Sequence, residues 1–506
     1  MQLGPAPCSP LAVVTQRTRH HPDLRMRDLL PEVPRYAQRS SLLAGEQWRR
    51  TRHLQVPPLR ECQRVAFWHR PYGGADLLGA HEEYGKPQII MTPREYQIPS
   101  IERLTKALPR FGACLDASDT GVGKTYVAAF TAKALGWKVA VVCPKSVIPS
   151  WELALKTIGV PFLFIENPER IRYQAQWGTT CKEGFGWQWK LPERCLLIFD
   201  EAHRFSGVES LQAKMLASAP KPVLMLSATC ADSPLKMHAI GHQLGIVHWD
   251  KWFAWCFKNG CMFNKPFRGL KYVGDDEVLK RIHSQIFAEK GVRIRIADLG
   301  DAFPNNSVEA VPIPLENAEE VNAEYIKAIE LLEEEAPNAA VAMLRARQLS
   351  EHRKLRAMID MTDDLLENGK SVAIFVCFRE SLDQLAKQFP EASLIYGGQP
   401  ADDRTDAINE FQSNQTRIII AMIQAGGVGI NLHDLDGNFP RVSLINPSFS
   451  AIELIQTLGR IHRNGGKSPC IQRILFAAET VEERVREKVE MKVDRINLLN
   501  DSDLHV

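Results

Sequence analysis

Ser118-Asp119-Thr120-Gly121-Val122-Gly123-Lys124-Thr125 is the stretch whose residue types most plainly describe a chemistry, that of gripping a triphosphate. A polyphosphate needs backbone N–H donors at close range, and residues without a bulky Cβ permit that approach. Gly121 and Gly123 meet the need. A helix beginning near Lys124 points the positive end of its dipole at the anion. Lys124 would then reach the β- and γ-phosphates and the Thr125 hydroxyl would ligate Mg²⁺, while Thr120 and Val122 complete the loop around the nucleotide. The strict pattern starts with Gly, where this chain has Ser118. A Gly-rich turn ahead of an ordinary helix is the competing reading.

A second constellation is Leu196-Leu197-Ile198-Phe199-Asp200-Glu201-Ala202-His203. Four apolar residues ending in two acids describe a buried strand that presents carboxylates at the C-terminal edge of a sheet, where ligands bind in such folds. Asp200 would hold Mg²⁺, and Glu201 would orient and deprotonate the attacking water. His203 either couples nucleotide state to neighbouring strands or is an ordinary polar residue at a strand end. The next apolar run, 223–226, ends in Ser227-Ala228-Thr229, whose Ser227 and Thr229 hydroxyls are placed to bridge the acids to a second lobe.

In this order, Gly-Val-Gly-Lys-Thr, Asp-Glu-Ala-His and Ser-Ala-Thr resemble motifs I, II (the DEAH box) and III of the superfamily 2 helicases. Arg94-Glu95-Tyr96-Gln97 resembles that family's adenine-reading element, which makes Gln97 the candidate for reading the base. Val141-Val142-Cys143-Pro144-Lys145-Ser146 resembles motif Ia and implies phosphate contacts from Lys145 and Ser146. Phe375 to Glu380 is similar to motif IV. Ala425 to Leu432 is similar to motif V, implying nucleic-acid contact at Gly426 and Gly427 and nucleotide contact at Gly429. Gln456-Thr457-Leu458-Gly459-Arg460-Ile461-His462-Arg463 resembles motif VI. Read as a helix, that stretch places Gln456, Gly459, Arg460 and Arg463 on one face. An ATPase lobe is slow without a positive group at the γ-phosphate, so the resemblance makes Gln456, Arg460 and Arg463 catalytic, with Arg463 the preferred finger. The Trp252–Phe257 region, Val292-Arg293-Ile294-Arg295, Phe303-Pro304 and His462-Arg463-Asn464-Gly465 resemble the SWI/SNF-like DNA translocase group.

The elements that must position these residues follow from texture. At 506 residues the chain exceeds one ordinary core. Hydrophobic content of 45% beside 24% charge places it among globular proteins, and its apolar runs are strand-sized, which argues against a membrane partner. Short apolar runs alternate with helix-length segments from residue 89 to 245 and again after 370, the pattern of βαβ units. The expected fold is α/β: two tandem RecA-like parallel-sheet domains, at 89–245 (ATP-binding) and 353–506, with a helical insert and interlobe linker at 246–352.

Residues 1–88 form a basic extension. Its first 70 residues hold twelve Arg, no Lys and five acids, against +2 for the whole chain. A phosphate-holding arm, a solvated leader and a transit peptide are the readings open there. Eleven cysteines without pairing rhythm point to reduced thiols, an intracellular location and no structural metal.

The function implied is an ATP- and Mg²⁺-dependent motor that translocates on or remodels nucleic acid, with DNA favoured and little sequence preference. A strand-separating DNA or RNA helicase is the first alternative, with Trp177, Trp187 and Trp189 as wedge candidates or buried anchors. A non-motor, nucleotide-dependent nucleic-acid binding module is the second.

Overall fold

A computed structural model describes residues 91–181, 186–207, 210–264, 269–334, 336–426 and 430–501. The basic extension, Gly427 and Gly429 lie outside the described residues.

The first sheet has six strands, all parallel: β1 (Ala113–Asp116), β2 (Lys138–Val142), β3 (Phe162–Glu166), β4 (Cys195–Asp200), β5 (Val223–Leu226) and β6 (Gly291–Val292). They lie in the order β6-β1-β5-β4-β2-β3. The strand interiors are continuous apolar runs because helices and loops cover both faces of the sheet. Leu115, Leu197, Phe199 and Met225 pack into the core on one face; Cys114, Leu196, Ile198 and Leu224 pack on the other. That alternation is the period of two expected of an extended chain.

The second sheet repeats the plan with β7 (Asn306–Ile313), β8 (Ser371–Val376), β9 (Ser393–Ile395), β10 (Ile418–Met422), β11 (Arg441–Ile445) and β12 (Cys470–Ala477). Its order is β7-β12-β11-β8-β10-β9, and it too is parallel throughout. The chain therefore has two tandem RecA-like α/β domains. The stretch 246–352 supplies one edge strand to each sheet, β6 to the first and β7 to the second.

Five helices matter for the site and its support. Helix α1 (Ile98–Phe111) follows the Gln97 turn, and α2 (Lys124–Leu135) starts on the phosphate loop. Helix α3 (Ala339–Glu367) precedes β8, α4 (Ala451–Leu458) carries Gln456, and α5 (Val481–Asp501) closes the described chain. The helical reading of residues 456–463 needs correcting: α4 ends at Leu458, Gly459 caps it, and 459–463 form a turn. Glycine is a poor helix former, and here it is also needed for a close approach described below.

Trp187 is buried, and Trp177 and Trp189 pack partly buried against the same core. Trp189 Nε1 donates to Met215 O at 2.8 Å. All three act as anchors in this structure. Among the described residues no helix is long and apolar enough to cross a membrane.

Candidate functional site between the two sheets

Strand β1 runs directly into the phosphate loop. Gly121 and Gly123 take φ of 87° and 91°, the left-handed region that glycine occupies without penalty. Lys124 opens α2 and turns its ammonium back into the loop, donating to Ser118 O and Asp119 O at 2.9 Å each. Burial lowers the Lys124 pKa, opposed by Glu201, Asp116, Asp200 and Asp119. Thr125 is the second residue of α2 and half-buried.

Gln97 lies buried against this loop. Its Nε2 donates to Val122 O at 2.9 Å, and its Oε1 accepts from Arg94 N at 3.1 Å. A Cβ at Gly123 would stand 2.6 Å from Gln97 Nε2, so the glycine makes room for the side chain as well as for its own backbone conformation.

At the tip of β4, Asp200 accepts from Trp151 Nε1 at 2.8 Å and from the Glu201 N–H at 2.9 Å. Burial, with the neighbouring Glu201 charge, raises its carboxyl to about 6. Glu201 sits at φ 51°, ψ 51°, a conformation unusual for a residue with a side chain and of the kind that collects at functional sites. Its Oε2 lies 3.4 Å from His203 Nδ1. His203 Nδ1 also meets Ser227 Oγ at 3.0 Å, so the strand tips of β4 and β5 are tied together. Burial pushes the His203 pKa down to about 4, which keeps the ring neutral.

The second sheet's contribution arrives on α4 and the turn after it. Gln456 Nε2 donates to His203 Nε2 at 3.1 Å and lies 3.5 Å from Glu201 Oε2. A donor at Nε2 leaves the His203 ring proton on Nδ1, facing Ser227 and Glu201. Thr120 meets Gly459 so closely that a Cβ there would fall 2.0 Å from Thr120 Oγ1. Arg463 covers the phosphate loop: a Cβ at Gly121 would lie 3.0 Å from its Cγ. Its Nε donates to Gly459 O at 2.8 Å. Arg460 is buried, with Nη1 3.4 Å from Ile430 O. Burial holds both guanidinium groups below their ordinary value, with Glu201 pulling the other way. Two cations that burial disfavours, beside a phosphate loop, suit a polyanion.

The candidates therefore converge in large part. Gln97, Thr120, Gly121, Val122, Gly123, Lys124, Asp200, Glu201, His203 and Ser227 line the first lobe, and Gln456 and Arg463 reach them from the second. Thr229 N donates to Ser227 Oγ at 3.3 Å, while its own Oγ1 has no hydrogen-bond partner among the described residues. Lys145 and Ser146 stand apart, in the 3-10 turn Lys145–Val147 that follows β2, with Lys145 exposed. Gly426 closes the short helix Ile423–Gly426 beyond β10.

Several participants carried no role in the sequence reading. Asp116 ends β1 fully buried; its Oδ1 accepts from Ser118 N at 2.9 Å, and its Oδ2 has no partner among the described residues. A lone acid at the end of an apolar run was the available signal. Arg293 pairs with Asp119 at 2.8 Å. Ile294 N donates to Ser118 Oγ at 2.9 Å, so Ser118, where the strict motif has glycine, fastens the loop to the segment after β6.

The donor set suits a hard divalent ion. Asp200 offers a carboxylate that burial disfavours as an anion, Thr125 offers a hydroxyl, and a nucleotide would supply phosphate oxygens. Among the described residues no group of three His, Cys, Asp or Glu side chains could hold an ion alone.

Comparison with known proteins adds to this geometry. Residues 353–465 match the family model described as the helicase conserved C-terminal domain. A putative ATP-dependent RNA helicase of Acanthamoeba polyphaga mimivirus is 33% identical over 460 residues, covering 81% of this chain and 84% of that protein. A SWI/SNF-related matrix-associated actin-dependent regulator of chromatin, subfamily A member 1, of Mus musculus is 32% identical over 146 residues, 28% of this chain but 14% of the mouse protein. Among solved structures, S. cerevisiae Dbp5 bound to RNA and ADP BeF3 aligns with a TM-score of 0.47 and 11% identity, covering 80% of this chain and 88% of the other.

Proposed function

This chain belongs to the superfamily 2 helicases, ATP-dependent nucleic-acid motors, and we propose that it is a translocase or remodeller acting on duplex DNA. One observation carries the motor reading: Gln456 and the turn after it meet Glu201, Thr120 and Gly121 of the other sheet. A triphosphate held in the loop would lie between the two lobes, so its arrival and hydrolysis would change how they fit together. Gln97 reads the adenine. Gly121 to Thr125 cradle the phosphates, and Lys124 leaves the two carbonyls it holds to meet the γ-phosphate. Thr125 and Asp200 would hold Mg²⁺, which supplies charge neutralisation at the transferring phosphoryl group. Glu201 orients and deprotonates the water; Arg463, with Arg460 behind it, stabilises the charge that develops. Gln456, His203 and Ser227 relay the change between lobes. Lys145, Ser146, Gly426 and Gly427 grip the nucleic-acid backbone.

The SWI/SNF-like assignment, and with it duplex DNA, rests on the Trp252–Phe257 and Val292–Arg295 texture and on the mouse chromatin regulator's similarity over part of this chain. The mimivirus relative, named as a putative RNA helicase, supports RNA as the second reading. The burial of Trp187, and the packing of Trp177 and Trp189 against the same core, favours anchors over a strand-separating wedge. ATP turnover measured with single-stranded DNA, duplex DNA, branched DNA and RNA decides between these. Greatest stimulation by duplex DNA is expected. Stimulation by RNA alone would move the assignment to the RNA-acting branch, and no turnover with any nucleic acid would end the motor reading.

A further inference from the structure

We infer that Asn464 sets base specificity from the second lobe, its Oδ1 accepting a hydrogen bond from the exocyclic amine of adenine. The inference rests on the proposed ATP site and extends it to a residue of the opposite lobe. Asn464 Nδ2 donates to Tyr96 OH at 3.0 Å, and Tyr96 OH lies 3.2 Å from Val122 O, the carbonyl that Gln97 also holds. A phenol has one proton, and Tyr96 gives it to Val122 O. Tyr96 can therefore only accept from Asn464, which fixes the amide with Nδ2 towards the phenol and Oδ1 turned away. That Oδ1 is buried and has no hydrogen-bond partner among the described residues. A buried acceptor without a donor is costly, so the arrangement suits a ligand that brings one.

Position identifies the ligand's part. Arg463 lies over Gly121 of the phosphate loop, and Asn464, the next residue, meets Tyr96 beside Gln97. Arg463 thus addresses the phosphate loop, while Asn464 sits on the side of that loop where Gln97 lies. At the six-position of a purine, adenine carries an amine and guanine a carbonyl oxygen. An acceptor there welcomes the first and repels the second. Gln97 uses one hydrogen of the amine, and the other remains for Asn464.

The test compares kcat/KM for ATP, GTP and purine ribonucleoside triphosphate, which lacks the six-amine. The wild type, Asn464→Ala, Asn464→Asp and Tyr96→Phe are measured, all in the presence of activating nucleic acid. Asn464→Ala should narrow the ATP-over-GTP ratio by about five- to tenfold, mainly through KM for ATP. It should turn over purine ribonucleoside triphosphate like the wild type. Asn464→Asp retains an acceptor and should keep the ratio within about twofold. Tyr96→Phe frees the amide to rotate and should narrow the ratio as the alanine variant does. An unchanged ratio in Asn464→Ala, or equal losses for all three nucleotides, would mean that Asn464 serves lobe closure alone and would overturn the inference. Undiminished ATP turnover by Lys124→Ala would instead show that the proposed ATP site is wrong, and the inference would fall with it.

Discussion

Two clusters of charge in this molecule are handled in opposite ways. Inside the second lobe, Glu482 accepts from Ser350 Oγ at 2.6 Å and Tyr325 OH at 3.3 Å through one oxygen, and from Lys354 Nζ at 2.7 Å and Ala477 N at 2.9 Å through the other. Lys354, buried outright, also donates to Leu475 O. Burial works against the Glu482 charge; Lys354 and the surrounding donors overcome it and hold the carboxyl below its ordinary value. Glu351, equally buried, receives the N–H groups of Cys377 and Phe378. These charges are satisfied from within, and they fasten α3 and α5 to the sheet. Between the lobes the reverse holds. Asp116 keeps an oxygen without a partner, Asp200 is raised to about 6, and Lys124, Arg460 and Arg463 are lowered. In the Glu482 cluster the partners outweigh the cost of burial and mark architecture; between the lobes burial prevails over the partners, as suits a place prepared for a ligand.

Four substitutions or conditions probe that contrast, beginning with the greatest effect. Arg463→Ala should lower nucleic-acid-stimulated ATP turnover by about 10³–10⁵-fold while nucleotide binding persists, because the finger acts on transition-state charge. Its unfolding midpoint should hold steady or rise, since a cation disfavoured by burial has been removed. A large loss of stability would place Arg463 with the structural cluster. Next, Lys354→Met leaves Glu482 buried without its cation and should cost about 3–5 kcal/mol in urea unfolding. A loss below 1 kcal/mol would contradict the distinction drawn above.

Acid comes third. His203 is pushed from its ordinary 6.5 to about 4 by burial, so the unfolded chain takes up a proton there before the folded one does. The contribution is complete above about pH 6.5 and fades as pH falls towards 4, on the order of 3 kcal/mol in full. Melting temperatures across pH 4–7 should fall more steeply for the wild type than for His203→Gln; parallel curves would remove His203 as the cause. The smallest effect belongs to Ser118→Gly. Restoring the strict motif deletes the acceptor for Ile294 N, worth about 1 kcal/mol by chemical denaturation, and ATP turnover should stay within about threefold.

Much of the fold was legible because parallel strands buried on both faces read as apolar runs, and the one at 223–226 matches β5 to the residue. Two edge strands were harder. Strand β6 has two residues, and β7 is exposed over most of its length and contains Pro312, so neither shows the pattern of a buried strand. The phosphate loop and the acids of β4 announce themselves locally, since their chemistry is written within eight residues. The other half of the site is a matter of distance along the chain. Nothing near Gly459 says that Thr120 lies against it, and reading 456–463 as one helix missed the turn that permits this contact. Asp116 and Asn464 were unmarked for the same reason: their meaning comes from what the fold brings to them.

Gln456 and Glu201 are 255 positions apart, and each lobe's sheet is built from its own stretch of chain. During synthesis, at about 5–20 residues per second, the first lobe leaves the ribosome well before residue 463 has been joined. On the roles proposed above, a nascent protein at that stage has the loop at Gly121 to Thr125 without Arg463, so it would bind ATP and hydrolyse little of it. The order of the two lobes along the chain would thus delay hydrolysis until both are made.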